Sequence, residues 1–294
     1  MRHYGPAWMH VQTACVWEAL ARKVGNVHPT APFADVECAT FLLSGAAIAP
    51  TFHNLEDFLN LGDITLAAVE DTRAWFDANA NLGIILALAP LAAIPLHVDL
   101  RRHIQQHLGR TTVHDAKQVY RAIRLANPGG LGEASEQDVR SEPTVTLLEA
   151  MKLAADRDLI ARQYANGFAD VFEFGVPALL EGFEQFGSVE AAIVHSQLRW
   201  LAAYPDSLIA RKNGLVVAED VQKRAAEVVR LGGIATPEGS RAGVALDKHL
   251  RSDGNKLNPG TTADLTAACL FVALRENKLS PSAPFTWKTD EWLT

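Results

Sequence analysis

Three aspartates and a few cations carry the chemistry this sequence can be read to perform. Asp156, Arg157, Asp158 and Arg162 crowd into "ADRDLIAR", and Asp206, Arg211 and Lys212 into "PDSLIARKNG". Aspartates beside arginine and lysine suit a magnesium–polyphosphate site. Magnesium takes one or two carboxylates plus phosphate oxygens, and the cations balance the remaining charge. Asp158, Asp206 and Asp264 are the candidate metal ligands. A solvated charged face explains the same residues, because Asp156 and Asp158 at i and i+2 diverge on a regular helix. Asp264 belongs to "KLNPGTTADL", where Pro259, Gly260, Thr261 and Thr262 precede it and an apolar run follows. Thr261 and Asp264 have capping-box spacing. The backbone N–H groups of such a helix start also make an anion site, so the two readings are compatible.

Two further clusters could meet an anion. In "KVGNVHP", Lys23 could reach phosphate oxygens as a point charge, and Gly25 would let backbone approach the ligand. The same residues read as a helix C-terminus: cation, glycine, then proline. In "NANLG", Asn81 is expected to cap the apolar helix that follows, with its side chain accepting free N–H groups. Asn79 and Asn81 could instead position ribose hydroxyls or a phosphate. His103 and His107 lie four apart, but no glutamate follows the first, so the metalloprotease pattern is missing. Neither a G-x-S-x-G elbow nor a Walker A loop occurs.

The elements that must position these groups read as helices. Apolar residues recur at three- and four-residue spacing in "WMHVQTACVWEALARK", "DITLAAVEDTRAWFDA", "VHDAKQVYRAIRLA" and "TADLTAACLFVALREN". The segment "TLLEAMKLAADRDLIARQYANGFADVFEF" predicts one long helix or two, opened by a Thr146–Glu149 capping box. Alternating strand patterns are nearly absent, which predicts an all-α chain. Residues 82–96 are the most apolar stretch, too short to span a bilayer and interrupted by Pro90 and Pro95, so they predict a buried core helix. Residues 127–143, rich in glycine, proline and acid, form the longest irregular stretch. They are expected to be a lid on a single domain, since apolar faces continue on both sides. Arg157–Gly167 and Asp206–Gly214 echo each other, each with an aspartate ahead of Leu-Ile-Ala-Arg. No fixed period extends the echo, so a shared local helix geometry is expected rather than a solenoid.

Composition narrows the partners. The 294 residues are 48% hydrophobic and 21% charged, with a net charge of −7 and a pI near 5.8. No basic excess exists to neutralise a nucleic-acid backbone. Small phosphorylated ligands need only local positive charge. Cys15, Cys38 and Cys269 are too scattered for a zinc knuckle or disulfide framework. Free thiols and the lack of a signal-peptide pattern predict a cytoplasmic protein away from membranes. A homo-oligomer is compatible with the sequence.

Taken in order, "EALARKVGNVHP", "NANLG", "DSLIARKNG" and "NPGTTADL" resemble the ATP:dephospho-CoA triphosphoribosyltransferase family, from about Ala14 to Arg275. The chain resembles most a divergent branch found among bacterial genes for methanopterin- and methanofuran-type C1 carriers. Better-known members tend to have Lys-Pro-Gly where this chain has Lys23-Val24-Gly25, and Asn-Thr-His-Lys-Gly where it has Asn79 to Gly83. The resemblance implies a helical enzyme with ATP as triphosphoribosyl donor, dephospho-CoA as acceptor and adenine as leaving group. It implies that Lys23, Arg211 and Lys212 hold the triphosphate. The Gly260–Thr261–Thr262 helix start adds N–H donors, Gly25 admits the ligand, and Asn26, Asn79 and Asn81 orient ribose or base. Asp206 and Asp264 become magnesium ligand or base. Two alternatives remain: another enzyme of C1-carrier synthesis acting on a phosphorylated pterin or furan intermediate, and a non-catalytic helical binding protein. The latter requires the clustered Asp and Lys residues to point into separate solvent regions.

Overall fold

The apolar periodicity is realised as helices throughout the computed structural model, which describes residues 5–34, 36–76, 80–132, 135–289 and 292. The N-terminal half holds α1 (Ala7–Leu20), α2 (Cys38–Ala47), α3 (Ala49–His53), α4 (Leu61–Trp75), α5 (Leu82–Ala92), α6 (Leu100–Leu108) and α7 (Val113–Ala126). After the irregular stretch come α8 (Leu147–Ala154), α9 (Leu159–Asn166), a π turn (Val171–Gly175), α10 (Val176–Phe186) and α11 (Val189–Ala203). The chain continues with α12 (Ser207–Asn213), α13 (Leu215–Arg230), α14 (Pro237–Leu250) and α15 (Gly260–Arg275). Among the described residues the only extended pairing is a bridge between His28 and Ala31. The fold is all-α.

The run after Asp264 becomes the axis of the structure. Every residue from Leu265 to Leu274 in α15 is fully buried, as a helix that is apolar all round must be. α1, α5, α10 and α11 pack around it. The apolar stretch at 82–96 forms α5, whose residues are buried on every side except at Gly83. Pro90 is accommodated inside it, and the helix stops at Ala92. Arg275, in the last turn of α15, donates to the carbonyls of Leu91, Ile94 and Pro95 at 2.9, 2.6 and 2.8 Å. One buried cation thus satisfies the open end of α5. No described helix is long and apolar enough to cross a membrane.

One predicted boundary shifts, at the end of α1, while the second of two expected arrangements is found at 146–175. The α1 helix ends at Leu20 rather than in a cationic turn, because Ala21 is already extended. Arg22 lies beyond it, paired with Glu190 at 2.6 Å. Residues 146–175 form two helices and a π turn, opened by the expected Thr146–Glu149 box. The sequence echo is one local device built twice. Asp158 caps α9, accepting from the N–H groups of Ile160 and Ala161 at 2.9 and 3.0 Å. Asp206 caps α12 in the same way, from Leu208 and Ile209 at 2.8 and 3.1 Å. Each helix exits through Asn-Gly, with Gly167 and Gly214 at φ 67° and 91°, a region that favours glycine. The Leu159 N–H donates to Ser207 Oγ at 2.8 Å, setting the two helix starts side by side.

Candidate active site

These two helix starts, the start of α15 and the start of α5 converge on one cavity of about 1000 Å³. The end of α7 and described residues of the 127–143 loop close its far side. The loop is pinned from beneath: Tyr120 Oη donates to the Gln137 carbonyl at 2.5 Å and Arg124 to that of Val139 at 2.6 Å. Gly130 crosses so close to α12 that a side chain there would press on the Arg211 backbone and the Lys212 stem.

Asp264 is the central acidic group. It sits just past the first turn of α15, partly exposed and facing the cavity. Its carboxylate lies directly over Gly83 of α5, where even a methyl group would collide with both carboxylate oxygens. No hydrogen bond or ion pair engages this carboxylate among the described residues. Burial pushes its carboxyl well above the ordinary carboxylate range, the Glu18 and Asp206 charges push the same way, and Arg211 opposes them.

Asp206 does something different from what its sequence suggests. It is 1% exposed and does not border the cavity. Its Oδ1 caps α12, while its Oδ2 accepts from Thr262 N and Thr262 Oγ1 at 2.7 and 2.8 Å. All four bonds come from protein donors, so neither oxygen is left for a metal or a substrate proton, and the expectation of a catalytic or metal-binding Asp206 is revised. The same bonds replace the expected Thr261–Asp264 capping box. α15 begins at Gly260, Thr261 lies inside it, and Pro259 makes no side-chain cap. The anion at this helix start is Asp206 itself, which also withdraws Thr262 from ligand binding. Thr261 and Gly260 do border the cavity.

Lys23 is likewise redirected. It is 0% exposed, off the cavity wall, and its Nζ lies 2.9 Å from Glu18 Oε1, with a further bond to the Glu18 carbonyl. A buried cation takes the nearest buried anion, so the direct phosphate contact expected of Lys23 is not formed; Glu18 is the member of the pair that reaches the cavity. Gly25, at φ 69°, packs against Leu250 and Pro259 and donates its N–H to Asp247 Oδ1 at 2.7 Å. It serves loop packing, not ligand approach. Asn26 does border the cavity. Its Nδ2 donates to Asn258 Oδ1 at 2.6 Å, and its Oδ1 accepts from Gln197 at 2.7 Å. Asn81 occupies the cap position of α5 without capping it. Its amide instead donates to the Ser44 carbonyl at 3.1 Å and accepts from Thr72 Oγ1 at 3.2 Å, holding α2 and α4 to the cavity wall. Asn79 lies outside the described residues.

Arg211, Lys212 and Asp158 all border the cavity. Arg211 Nη1 donates to Asp158 Oδ2 at 2.5 Å, so Asp158 spends one oxygen on the α9 cap and the other on this pair. Lys212 donates to the Asn255 carbonyl at 3.3 Å. The three aspartates expected to bind metal therefore have three different settings. No cluster of three or more His, Cys, Asp or Glu residues suited to a metal occurs among the described residues.

A model of the ATP:dephospho-CoA triphosphoribosyl transferase family matches residues 9–282. The chain belongs to that family. Its match spans every wall of the cavity just described. The chain is 28% identical over 264 residues to a Vibrio cholerae O1 El Tor protein named "Probable 2-(5''-triphosphoribosyl)-3'-dephosphocoenzyme-A synthase", covering 81% of this chain and 77% of that one. A Pseudomonas putida protein of the same name is 34% identical over 113 residues, 38% of this chain and 40% of its own. The crystal structure of an Archaeoglobus fulgidus protein, assigned as a triphosphoribosyl-dephospho-CoA synthase, superposes with a TM-score of 0.63 at 30% identity, over 80% of this chain and 98% of that one. Membership makes the chain a transferase and sets aside the non-catalytic reading. Consistently, Lys23 and Asp206 are buried and Asp264 faces a cavity, so none of the three points into bulk solvent.

Sequence reasoning passed over two residues of this cavity wall. Glu18 stands in the quoted "EALARKVGNVHP", but nothing in helical spacing marks it as the partner of a lysine five residues on. Gly83 was visible only as the last letter of "NANLG"; its meaning lies in the carboxylate of a residue 181 positions away.

Proposed function

We propose that this chain transfers the triphosphoribosyl group of ATP to a hydroxyl of a dephospho-CoA-like acceptor and releases adenine. The acceptor oxygen bonds to the anomeric carbon of the ribose as the bond from that carbon to adenine breaks. The acceptor hydroxyl gives up its proton, and adenine leaves with one. Positive charge develops on the sugar in between, and a nearby carboxylate stabilises it and accepts the hydroxyl proton. Asp264 is assigned that part. The observation that carries the reading is its carboxylate: facing the cavity, seated on Gly83 and without a protein hydrogen-bond or ion-pair partner among the described residues.

Arg211 and Lys212 are assigned to the triphosphate, with the Gly260–Thr261 turn beside them and Asn26 and Asn81 on the wall toward the ribose. The cavity is lined by Glu18, Glu136, Asp138, Asp156, Asp158 and Asp264 against the cations Arg157, Arg162, Arg211 and Lys212. A polyanionic triphosphate entering this surplus of acid needs countercharge. Magnesium would enter as a companion of the phosphates, which would supply the ligands the protein lacks, leaving Asp264 free to act as the base. When bound, it would neutralise phosphate charge. The 127–143 loop supports exclusion of water, which competes as acceptor.

A second reading keeps the donor and changes the acceptor to a pterin- or furan-type C1-carrier intermediate. The apolar wall of Phe41, Val119, Ile123 and Met151 favours it, since a ring system would rest there. One assay separates the two. Protein, ATP and magnesium are mixed with dephospho-CoA or with a pterin or furan phosphate, and free adenine is measured by chromatography. Release with dephospho-CoA is expected, and Asp264→Asn should lower it about 10²- to 10⁴-fold. A wild-type rate in that variant would remove Asp264 from the chemistry.

A further inference from the structure

One polar cluster on the cavity wall has no part in the transfer as assigned above. Arg162 on α9 donates through Nε and Nη2 to Asp170 Oδ2 and Oδ1, at 2.8 and 3.4 Å. The same carboxylate accepts from Gln163 and Asn166, both at 2.9 Å, and from Tyr204 Oη at 3.4 Å. The guanidinium carbon of Arg162 lies 5.1 Å from the Tyr204 ring centroid. One edge and one face of this cation are therefore fixed before any ligand arrives.

The remaining edge is available. The Arg162 side chain is 43% exposed, and its Nη1 has no protein partner among the described residues. Arg162 and Tyr204 both line the cavity, with Asp170 behind them. A forked donor held flat by a carboxylate and a ring suits a phosphate oxygen pair, and preorganisation lowers the entropy lost on binding. Which phosphate follows from position. Arg211, paired with Asp158 where the starts of α9 and α12 meet, is the cation assigned above to the donor triphosphate. Arg162 lies further along α9 from that pair and has no part in holding the donor as assigned, which leaves its open edge for the second substrate.

We propose that Arg162, positioned by Asp170 and Tyr204, binds a phosphate group of the acceptor and thereby selects a phosphorylated acceptor over an unphosphorylated one. The inference rests on the transferase reading above, and the experiment separates the two. Adenine release is measured for wild type and for Arg162→Gln while ATP and dephospho-CoA are varied in turn. The expected result is a dephospho-CoA KM raised about 10- to 100-fold, as for loss of a charged hydrogen bond, with the ATP KM and kcat near wild type. Those unchanged constants also show that the variant is folded. Arg162→Lys should rescue little, because a point charge cannot satisfy Asp170, the Tyr204 face and a phosphate together. An unchanged dephospho-CoA KM, or a rise in the ATP KM instead, overturns this inference while leaving the transferase reading intact. No adenine release from wild type with either type of acceptor overturns that reading and this inference with it.

Discussion

Gly83 and Asp264 are one packing unit made from two distant residues, and by the function proposed above they act as one. Alanine within a helix is ordinarily favoured over glycine, by up to about 1 kcal/mol in the interior, and Gly83 is the second residue of α5. Here the added methyl would occupy the place of the Asp264 carboxylate. Gly83→Ala is expected to fold and to lose adenine release to the same extent as Asp264→Asn. The double variant should be no worse than either alone, because both remove the same group. Additive losses in that cycle would separate the residues. Asp264 also imposes a stability cost. Its folded pKa is raised, so the native state binds more protons than the unfolded chain, and stability falls as pH climbs through the ordinary carboxylate range toward the folded value. Asp264→Asn removes that loss. Its melting temperature should exceed wild type at neutral pH, and the gap should close below the unfolded carboxylate pKa. A gap that persists at acid pH would assign the effect to packing instead.

Helix termini decide what each acidic residue can do. Asp206 and Asp158 look alike in sequence, each ahead of Leu-Ile-Ala-Arg, and both cap a helix. They differ in the second oxygen, which in Asp206 is taken by Thr262 of α15 and in Asp158 by Arg211. Asp206 joins two helix starts with no water between them, so Asp206→Ala strands several buried donors at once. A loss of about 2–4 kcal/mol in denaturant midpoint experiments is expected, against little or none for Asp264→Asn at neutral pH. That contrast separates the brace at Asp206 from the base proposed at Asp264. The sequence carried the fold well at this scale. The helical period, the Thr146–Glu149 box and the greasy α5 were all legible. The capping of α15 was not. A Thr-x-x-Asp spacing looks local, and the winning acceptor came from 56 residues upstream. Lys23 misled for a related reason: sequence displays a charge but not the anion buried beside it.

Across the whole molecule, two apolar clusters meet at α11. Val189, Ala192, Ile193 and Trp200 belong to the larger one, while Ala191, Val194, Leu198 and Leu201 belong to the one formed with α12, α13 and α14. A helix buried on both sides couples the two cores, and we propose that the chain is a single cooperative domain. Calorimetry should give one transition whose van't Hoff and calorimetric enthalpies agree; two resolved transitions would divide the chain at α11. The order of the four motifs along the chain could be read from sequence, and the family with it. Their convergence could not, since it depends on α15 passing through the centre and seating Asp264, near its start, on α5. The close seating of Asp264 on Gly83 also has an evolutionary consequence. A side chain at 83 and a carboxylate at 264 exclude each other, so the two positions should change together across relatives. By the function proposed above, a homologue that keeps the fold but bears a bulkier residue at the place of Gly83 would be a relative retired from this reaction, recognisable from two letters of its sequence.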